Sequence, residues 1–493
     1  MMLLVLLSPW LVVGLGALGL MLSDAFSSSK KGFALGTATI LFGAGCVAAG
    51  AWLSGATESP ESSTVSPWLL LDGWTLYFAM LLCVGGALSA LLAGGYLPEH
   101  RLERGEFYVL VLLSVFGAMT LVAAGDALTL FLGLETMSLG VYCLTAYRRQ
   151  SSRSIEAGLK YFLLGSFSAA LLLYGFALLY GATGHTDLAG IGGFAAQSAG
   201  RSPMFIFGAV LVLAGLVFKV SAVPFHAWTP DAYEGAPTPV TAFMAVTVKA
   251  AAFAILLRVL KLCFSDSGWT SWAGGWPPVV ATLAVITMTA ANLVAGRQDS
   301  VKRMLAYSSI AHAGYILVGV AVGVRIHAAS ESSVCFYLLT YTVSTIGAFA
   351  ALIVCGSHGR EAVSYEDLSG LGKRHPWAAF AFSVFLLSLA GIPPTAGFFG
   401  KWFIFKAAID AGLYRLVAIA LLNSVIGAYY YLRVLVFMYM REPAAGATIA
   451  VPMRSNYVIA VIVLSAASVI ALGLAPSTSL HVAECAVTSG AGS

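Results

Sequence analysis

Charged side chains are scarce in this chain, and long polar segments are missing. Asp, Glu, Lys and Arg make up only 10% of the 493 residues and apolar residues make up 59%, whereas a soluble domain carries about 25% charged residues. The longest predicted loops, around residues 181–203 and 357–376, are too short for a separate domain. This composition argues against an ordinary soluble protein and predicts a polytopic membrane protein, because a spanning helix needs about 20 mostly apolar residues.

The motifs of redox and nucleotide-binding proteins are missing as well. The seven cysteines are scattered and none forms a C-x-x-C pair, which argues against iron–sulfur or zinc ligation. No G-x-G-x-x-G opens a βαβ unit, and the chain has no P-loop and no haem attachment motif. Basic residues do not cluster with aromatic residues, so nothing indicates nucleic-acid binding. We therefore expect no cofactor or metal site in this chain.

Hydropathy predicts an all-α fold with about fourteen transmembrane helices in one domain. Residues 1–21 lack the basic start of a signal peptide and are followed at once by further spans, so they are predicted to be the first helix. The predicted extents are 2–22, 33–54, 70–93, 107–124, 127–146, 156–180, 204–225, 238–260, 277–296, 302–323, 333–356, 376–409, 413–440 and 455–475.

The basic residues of the short loops predict the orientation. Alternate loops carry most of the Lys and Arg, and the positive-inside rule assigns these loops to the cytoplasm. They hold Lys30, Lys31, Arg101, Arg104, Arg148, Arg149, Arg153, Arg297, Lys302, Arg303, Arg360, Lys373, Arg374, Arg441 and Arg454. The opposite loops hold Arg201, Lys261, Arg325 and Arg415. With an even number of spans, both termini are then expected outside, which is the periplasm if the membrane is a bacterial inner membrane.

Two predicted spans are interrupted by proline. The seventh ends in VSAVPFHAWTP, and the twelfth contains LAGIPPTAGFFGK. Proline breaks a helix, and in a membrane this is tolerated only where protein or water satisfies the freed backbone groups. Because the breaks lie five helices apart, we predict two inverted five-helix repeats. The predicted divisions are 1–106 for helices one to three, 107–260 for the first repeat, 277–440 for the second repeat, and 441–493 for helix fourteen and the tail.

Four charged residues, Glu135, Lys219, Lys249 and Lys401, lie inside apolar stretches. A charge at the centre of a spanning helix costs about 2.5–3.5 kcal/mol, so such residues usually face protein or water and have a function. His312, in the tenth predicted helix, suits a relay because its charge changes near pH 7. Since these groups come from both predicted repeats, we predict that they pass protons sideways within the membrane.

Other interpretations stay open for these residues. Glu135 is the most plausible partner of Lys219, in a pair that can open and close. Each buried lysine can instead belong to an ion pair that only fixes helix packing, and His312 can be a hydrogen-bonded core residue. Lys160 lies about five residues into the sixth predicted helix, where snorkelling to the interface would explain it.

Two long segments carry a family resemblance. They read LVFKVSAVPFHAWTPDAYEGAPTPVTAFMAVTVKAAAFA and DLSGLGKRHPWAAFAFSVFLLSLAGIPPTAGFFGKWFIF. Both resemble the core of subunit N of proton-pumping NADH–quinone oxidoreductase, respiratory complex I, one of its antiporter-like subunits. The run YEGAPTPVTAF and the lysine at position 401 favour subunit N over the related subunits M and L. The resemblance covers most of the chain and implies fourteen helices with two inverted five-helix repeats.

The resemblance also implies residue roles and partners. It assigns proton transfer to Glu135, Lys219, Lys249, Lys401 and Lys160. It implies that NADH, FMN, iron–sulfur clusters and quinone are bound by other subunits of the complex, and that this chain binds none of them. The expected partners are antiporter-like subunit M, the quinone-side small membrane subunits, the lateral helix of subunit L and the lipid bilayer.

Two alternative functions have nearly the same sequence signature. A subunit of a multisubunit cation/proton antiporter would share the fold and the buried charges. A purely structural arm of a complex would use the charges only to hold helices together. The expected function remains a proton-translocating subunit that couples electron transfer from NADH to quinone to proton pumping.

Overall fold

The computed structural model describes residues 2–26, 32–197, 202–323, 327–356, 359–443 and 453–488. Within these ranges the chain is helical, with isolated β-bridges and no strand. In chain order the α-helices are α1 (Met2–Phe26), α2 (Phe33–Leu53), α3 (Gly73–Glu99), α4 (Gly105–Ala123), α5 (Ala127–Thr145), α6 (Ser152–Thr183), α7 (Leu188–Ala195), α8 (Pro203–Lys219), α9 (Trp228–Gly235), α10 (Thr238–Phe243), α11 (Lys249–Cys263), α12 (Trp276–Ala295), α13 (Val301–Val322), α14 (His327–Cys355), α15 (Leu371–Arg374), α16 (Pro376–Ala390), α17 (Ala396–Asp410), α18 (Tyr414–Met440), α19 (Asn456–Leu474) and α20 (Pro476–Thr488).

The predicted all-α membrane architecture is confirmed. Twelve helices of the described ranges are long and apolar enough to cross a membrane. The twelfth predicted span is divided into two shorter helices, α16 and α17. The seventh, predicted to reach residue 225, ends with α8 at Lys219, and the short helix α9 follows the break. The eighth predicted span is one continuous helix, Thr238–Cys263, in which α10 and α11 are joined by a π-helical turn over Met244–Val248.

Some predicted boundaries are wrong. The third helix begins at Gly73 rather than at residue 70 and continues to Glu99, because Asp72 caps its first turn by accepting a hydrogen bond from the amide of Thr75 at 2.8 Å. The tail after the fourteenth predicted helix contains a further helix, α20, which the sequence did not predict. Its mixed apolar and polar composition is too weak a hydropathy signal for a span, which is why hydropathy alone misses it.

At each break a side-chain hydroxyl accepts a hydrogen bond from a backbone amide. After α8 the amide of Val223 donates to the hydroxyl of Thr287 on α12 at 3.0 Å. After α16 the chain turns at Gly391, whose φ of +86° favours glycine, and the hydroxyl of Ser388 accepts from the amide of Gly397 at 3.2 Å. Protein groups therefore replace part of the helical hydrogen bonding at both breaks, which a broken span in a membrane requires.

Four helices form the buried centre of the bundle. They are α3, the continuous α10–α11 helix, α13 and α14, whereas α1, α12, α18 and α19 keep one face at the surface. Helices α4 and α5 pack closely together, and so do α12 and α13, which open the two predicted repeats. In each predicted repeat the third span then packs against the broken one, α6 against α8 and α14 against α16 and α17. The corresponding helices thus pack in the same way in both halves, which supports the two repeats. The residue boundaries of the repeats stay a prediction.

Candidate functional site

Lys219 is the last residue of α8 and lies directly before the first break. Its side chain is buried, and the ammonium donates to the hydroxyl of Ser138 at 2.9 Å and to that of Tyr142 at 3.2 Å. Both acceptors lie on α5, four residues apart and thus on the same face. The Tyr142 hydroxyl fits there because residue 165 on α6 is glycine. A Cβ at position 165 would clash with the hydroxyl oxygen.

Glu135 is a neighbour of Lys219, but the two do not form an ion pair among the described residues. Ser138 follows Glu135 by three residues, about 4.5 Å along the helix axis at 1.5 Å per residue, and its hydroxyl takes the ammonium of Lys219. Lys219 still lies close enough to act electrostatically on the carboxylate. Within the described chain, Oε1 of Glu135 is buried and has no hydrogen-bond partner. The expected ion pair is therefore absent from the described residues, and the serine hydroxyl that accepts from Lys219 donates to the carbonyl oxygen of Leu134 instead of to Glu135.

Lys249 begins α11, immediately after the π-helical turn Met244–Val248. It is 2% exposed, and its ammonium donates to the carbonyl oxygen of Ser309 at 2.6 Å and to the hydroxyl of the same residue. The hydroxyl of Tyr341 on α14 donates to that serine hydroxyl at 2.9 Å. Single π-helical turns are frequent at functional sites, and this one ends at the lysine in the centre of the bundle.

His312 lies on α13, one turn beyond Ser309, and both of its ring nitrogens have hydroxyl partners. Nδ1 lies 2.6 Å from the hydroxyl of Tyr337, and Nε2 lies 3.1 Å from that of Tyr431. The Tyr431 hydroxyl also contacts that of Ser308. Because a tyrosine hydroxyl both donates and accepts, either nitrogen of the imidazole can carry the proton.

Lys401 lies on α17 and reaches back across the second break. Its ammonium donates to the carbonyl oxygen of Ala390, the last residue of α16, at 2.8 Å and to the hydroxyl of Ser424 at 3.0 Å. A cation at this position stabilises the negative end of the α16 helix dipole. The ring of Tyr315 lies beneath the ammonium, with 5.1 Å from Nζ to the ring centroid.

Aromatic side chains connect the surroundings of Lys219 to those of Lys249. The rings of Tyr142 and Tyr161 are 4.7 Å apart, and Tyr161 stacks on Trp228 at 4.2 Å. Trp228 then contacts Tyr233 at 6.3 Å, and the side chain of Tyr233 interacts with the Ser309 side chain. The two lysines are thereby parts of one continuous buried layer.

The sequence prediction located the charged residues of this layer and missed most of its hydroxyls. The structure brings Lys219 together with Ser138 and Tyr142, and it places His312 between Tyr337 and Tyr431. The sequence contains many other tyrosines. A position one or two helical turns from a charged residue was the only signal that could have identified those that bind Lys219 or His312.

Lys160 is not part of the buried row. Its side chain is 45% exposed and pairs with Glu156 at 2.7 Å and with Asp231 at 2.9 Å. Arg303 on α13 pairs with Asp231 at 2.9 Å and with Glu234 at 2.7 Å. These ion pairs connect α9 to α6 and α13 at the surface of the described chain.

A second buried charge cluster joins the two halves of the chain at the end of the bundle that carries most of the basic residues. Glu361 follows α14 and accepts from Thr238 at 2.7 Å, from Arg148 at 3.2 Å and from Lys302 at 3.3 Å. The hydroxyl of Tyr96 also donates to it. Burial alone would raise the pKa of the Glu361 carboxyl, but Lys302 and Arg148 outweigh it and hold that pKa below its ordinary value.

The described residues contain no group of three or more His, Cys, Asp or Glu side chains that could hold a metal ion. What they contain instead is a set of buried lysines and a histidine that bind hydroxyls, with a glutamate near Lys219, beside two broken helices. This fold and site define the class of antiporter-like membrane subunits. The chain matches the family model described as NADH:quinone oxidoreductase/Mrp antiporter, TM, over residues 124–427.

Curated relatives narrow the class. The chain is 63% identical to NADH-quinone oxidoreductase subunit N 1 of Sorangium cellulosum, with 97% of each chain covered. It is 43% identical to NADH-quinone oxidoreductase subunit N of Trichlorobacter lovleyi, covering 97% of this chain and 96% of the relative. The chain belongs to the NADH-quinone oxidoreductase subunit N family.

Solved structures share the fold. A chain of respiratory complex I from Thermus thermophilus superposes with a TM-score of 0.79 at 33% identity, covering 96% of this chain and 98% of that one. A chain of the Mrp complex from Dietzia sp. DQ12-45-1b superposes with a TM-score of 0.82 at 23% identity, covering 98% and 96%. The second likeness shows a common fold alone.

Proposed function

We propose that this chain is a proton-translocating subunit of an NADH–quinone oxidoreductase and that Glu135, Lys219, Lys249, His312 and Lys401 transfer the protons. Electron transfer from NADH to quinone would take place in other subunits. The buried groups of this chain would couple to it by taking up and releasing protons.

One observation carries this proposal: the three buried lysines bind neutral oxygens. Among the described residues, no carboxylate lies within ion-pair distance of Lys219, Lys249 or Lys401, whose partners are serine and tyrosine hydroxyls and backbone carbonyls. An amine held in this way can lose its proton without leaving a buried carboxylate unpaired, and the hydroxyls can reverse their hydrogen bonds.

Other buried cations of the same chain are paired with carboxylates. Arg258 is paired with Asp72 at 2.6 Å, and Lys302 with Glu361 at 3.3 Å. Removing one partner of such a buried pair leaves an uncompensated charge, so these pairs suit a structural role. The contrast within one chain favours proton transfer over structure for the lysine row.

The contacts suggest an order for the groups. Lys249 and Ser309 lie at the centre, with Lys219 reached through the aromatic contacts of Tyr233 on one side. On the other side, His312 and Tyr315 follow Ser309 along α13, and Tyr315 lies under Lys401. We propose that protons move along this layer toward Lys401.

The assembly and orientation are part of the same proposal. The chain would lie in a bacterial inner membrane with both termini in the periplasm. It would bind antiporter-like subunit M, the quinone-side small membrane subunits and the lateral helix of subunit L, while other subunits hold FMN, iron–sulfur clusters and quinone. Lys160 would act at the cytoplasmic surface. It lines a cavity of about 270 Å³ together with its ion-pair partners, and water in this cavity would supply protons.

Proton uptake per NADH tests the proposal. Lys219→Ala and Lys249→Ala complexes are placed in vesicles, and the ratio of protons moved to NADH oxidised is measured. Both variants should lower the ratio. Lys406→Ala is the matched control, since Lys406 lies on α17 with Lys401 but is exposed, and it should leave the ratio unchanged. An unaltered ratio in fully assembled Lys219 and Lys249 variants would refute the proposal.

A cation/proton antiporter subunit is the second candidate, favoured by the family model that covers both classes. Affinity purification from native membranes separates the two. A partner set with NADH-oxidising activity supports the first function, and sodium-driven proton movement by a complex without such activity supports the second.

A further inference from the structure

Arg258 is a buried charge that the proposed proton row does not use. It lies on α11, nine residues after Lys249, which is about 13.5 Å farther along the helix axis. From there the chain leaves the bundle through the loop after Cys263, on the side opposite to most of the basic loops. Arg258 therefore stands between the central lysine and that side.

The hydrogen bonds of Arg258 are satisfied by the protein. One terminal nitrogen donates to both carboxylate oxygens of Asp72, at 2.7 and 2.6 Å. The other donates to the carbonyl oxygen of Val122 at 2.8 Å and to the hydroxyl of Thr75 at 3.2 Å. The side chain is only 5% exposed. The guanidinium is thus held in one place by α3 and α4.

A cavity of about 270 Å³ lies against this ion pair. Lys261 and Glu331 line it, and so does Trp74, whose buried indole N–H has no hydrogen-bond partner in the described part of the chain. A cavity of this size with an unused donor and several charged side chains is suited to hold water. Water from this side can therefore reach Arg258.

Arg258 and Asp72 cannot pass on a proton as Lys249 can. A guanidinium has donors only, and it stays charged in proteins. The Asp72 carboxylate accepts from the guanidinium and from the amide of Thr75 at 2.8 Å, so protonating it would break these bonds. A fixed positive charge also repels protons and other cations, which is how arginine blocks them in other pores.

We propose that Arg258 is a fixed barrier to protons, which prevents a proton on Lys249 from leaving directly along α11 to the side opposite the basic loops. Protons would then have to move sideways to Lys401. This inference deepens the proposed function and rests on it. It assigns Arg258 a role in setting the route, while Lys249 and Lys401 carry the proton.

Passive proton conductance of the assembled complex tests the barrier. Vesicles containing the complex receive an imposed pH gradient without NADH, and the rate at which the gradient collapses is measured. Arg258→Gln should collapse it several-fold faster than wild type. Asp72→Asn keeps the positive charge and a good helix cap, so it should leak less than Arg258→Gln. Lys406→Gln, which removes an exposed lysine on α17 away from this cavity, should behave as wild type.

A purely structural ion pair gives a different pattern. In that case Asp72→Asn and Arg258→Gln would lose assembled complex to the same extent, and neither remaining complex would leak. If Arg258→Gln does not assemble, the double variant Asp72→Asn with Arg258→Gln restores a neutral hydrogen-bonded pair and should still leak. An intact gradient in the assembled single or double variant overturns the barrier.

Adding Lys249→Ala separates this inference from the proposed function. If the leak runs through Lys249, the combined Arg258→Gln and Lys249→Ala variant should leak less than Arg258→Gln alone. If the two variants leak at the same rate, the proposed route from Lys249 past Arg258 is wrong. The leak assay contains no NADH, so its outcome is independent of the pumping ratio. If Arg258 proves not to be a barrier, the proposed function is still tested by protons moved per NADH. If the pumping test fails, the leak measurement remains valid.

Discussion

Lys401 closes the second helix break by donating to the carbonyl oxygen of Ala390 at 2.8 Å. The bond joins the second half of the broken span to the last residue of the first half, and it places a cation at the negative end of a helix dipole. A change in the charge of this lysine therefore acts directly on the break. The same side chain that would carry a proton also holds the two half-helices together.

Gly391 controls where that lysine lies. Its φ is +86°, and a Cβ there would be 3.0 Å from Cδ of Lys401. Gly391→Ala should cost about 1–2 kcal/mol of stability through the left-handed backbone and should also displace the lysine and lower the number of protons moved per NADH. Gly412→Ala is the control, since its φ is +76° and it lies past the end of α17. A loss of pumping that is equal in both variants would show that only backbone strain matters.

Ser138 should be required for the function of Lys219, because its hydroxyl accepts from the buried ammonium at 2.9 Å. Ser138→Ala removes one of the two hydroxyl acceptors of the buried ammonium, which should cost about 1–3 kcal/mol and reduce proton pumping in reconstituted vesicles. Ser138→Thr keeps the hydroxyl and should retain most of the activity. If the alanine variant pumps normally, the hydrogen bond from Lys219 to Ser138 is not needed for proton transfer.

The sequence predicted the spans, the breaks and the buried charges for clear physical reasons. Runs of apolar residues mark helices, Pro224 and Pro393 mark broken ones, and a charge such as Lys249 stands out against an apolar background. Each of these signals is local, so it can be read without knowledge of the fold. The Gly391 turn is local too, but the lysine that it positions is ten residues away.

The partners of those charges could not be predicted in the same way. Tyr142, Tyr337 and Tyr431 come from three different helices, and nothing in the sequence distinguishes a tyrosine that binds His312 from one that packs against a neighbour. The expectation that Glu135 would pair directly with Lys219 followed from opposite charge alone. It did not include Ser138, because a serine in a membrane helix usually serves helix packing.

Tyr431 should speed proton exchange at His312. Tyr431→Phe removes the hydroxyl that lies 3.1 Å from Nε2 of the imidazole. A hydrogen bond of about 0.5–1.5 kcal/mol corresponds to a rate change of about two- to tenfold, so coupled NADH oxidation should slow by that factor. Tyr439→Phe, which loses a hydroxyl contact to Ser383 at 3.1 Å, is the control. Equal rates in the two variants would exclude Tyr431 from the relay.

The Glu361 cluster should make the stability of the chain depend on pH. Burial opposes the charged form, but Lys302 and Arg148 bring the pKa of Glu361 below its ordinary value of 4.5. A group whose pKa is lowered by folding stabilises the folded state fully above its unfolded pKa, and this contribution is lost as the pH falls through the folded pKa. Glu361→Gln should therefore lower the unfolding temperature in detergent near pH 7 and make little difference in acid.

The size of the effect follows from burial. Removing one partner of a fully buried ion pair costs about 3–5 kcal/mol. The side chain of Lys302 is 1% exposed, but that of Glu361 is 17% exposed. The stability lost in Glu361→Gln should therefore be lower, about 2 kcal/mol. Arg360→Gln breaks a pair with Asp367 in which the arginine is 54% exposed, and such surface pairs contribute about 0–1 kcal/mol. If the two variants lose the same stability at neutral pH, or if the loss in Glu361→Gln persists unchanged in acid, the ionised carboxylate does not join the two halves of the bundle.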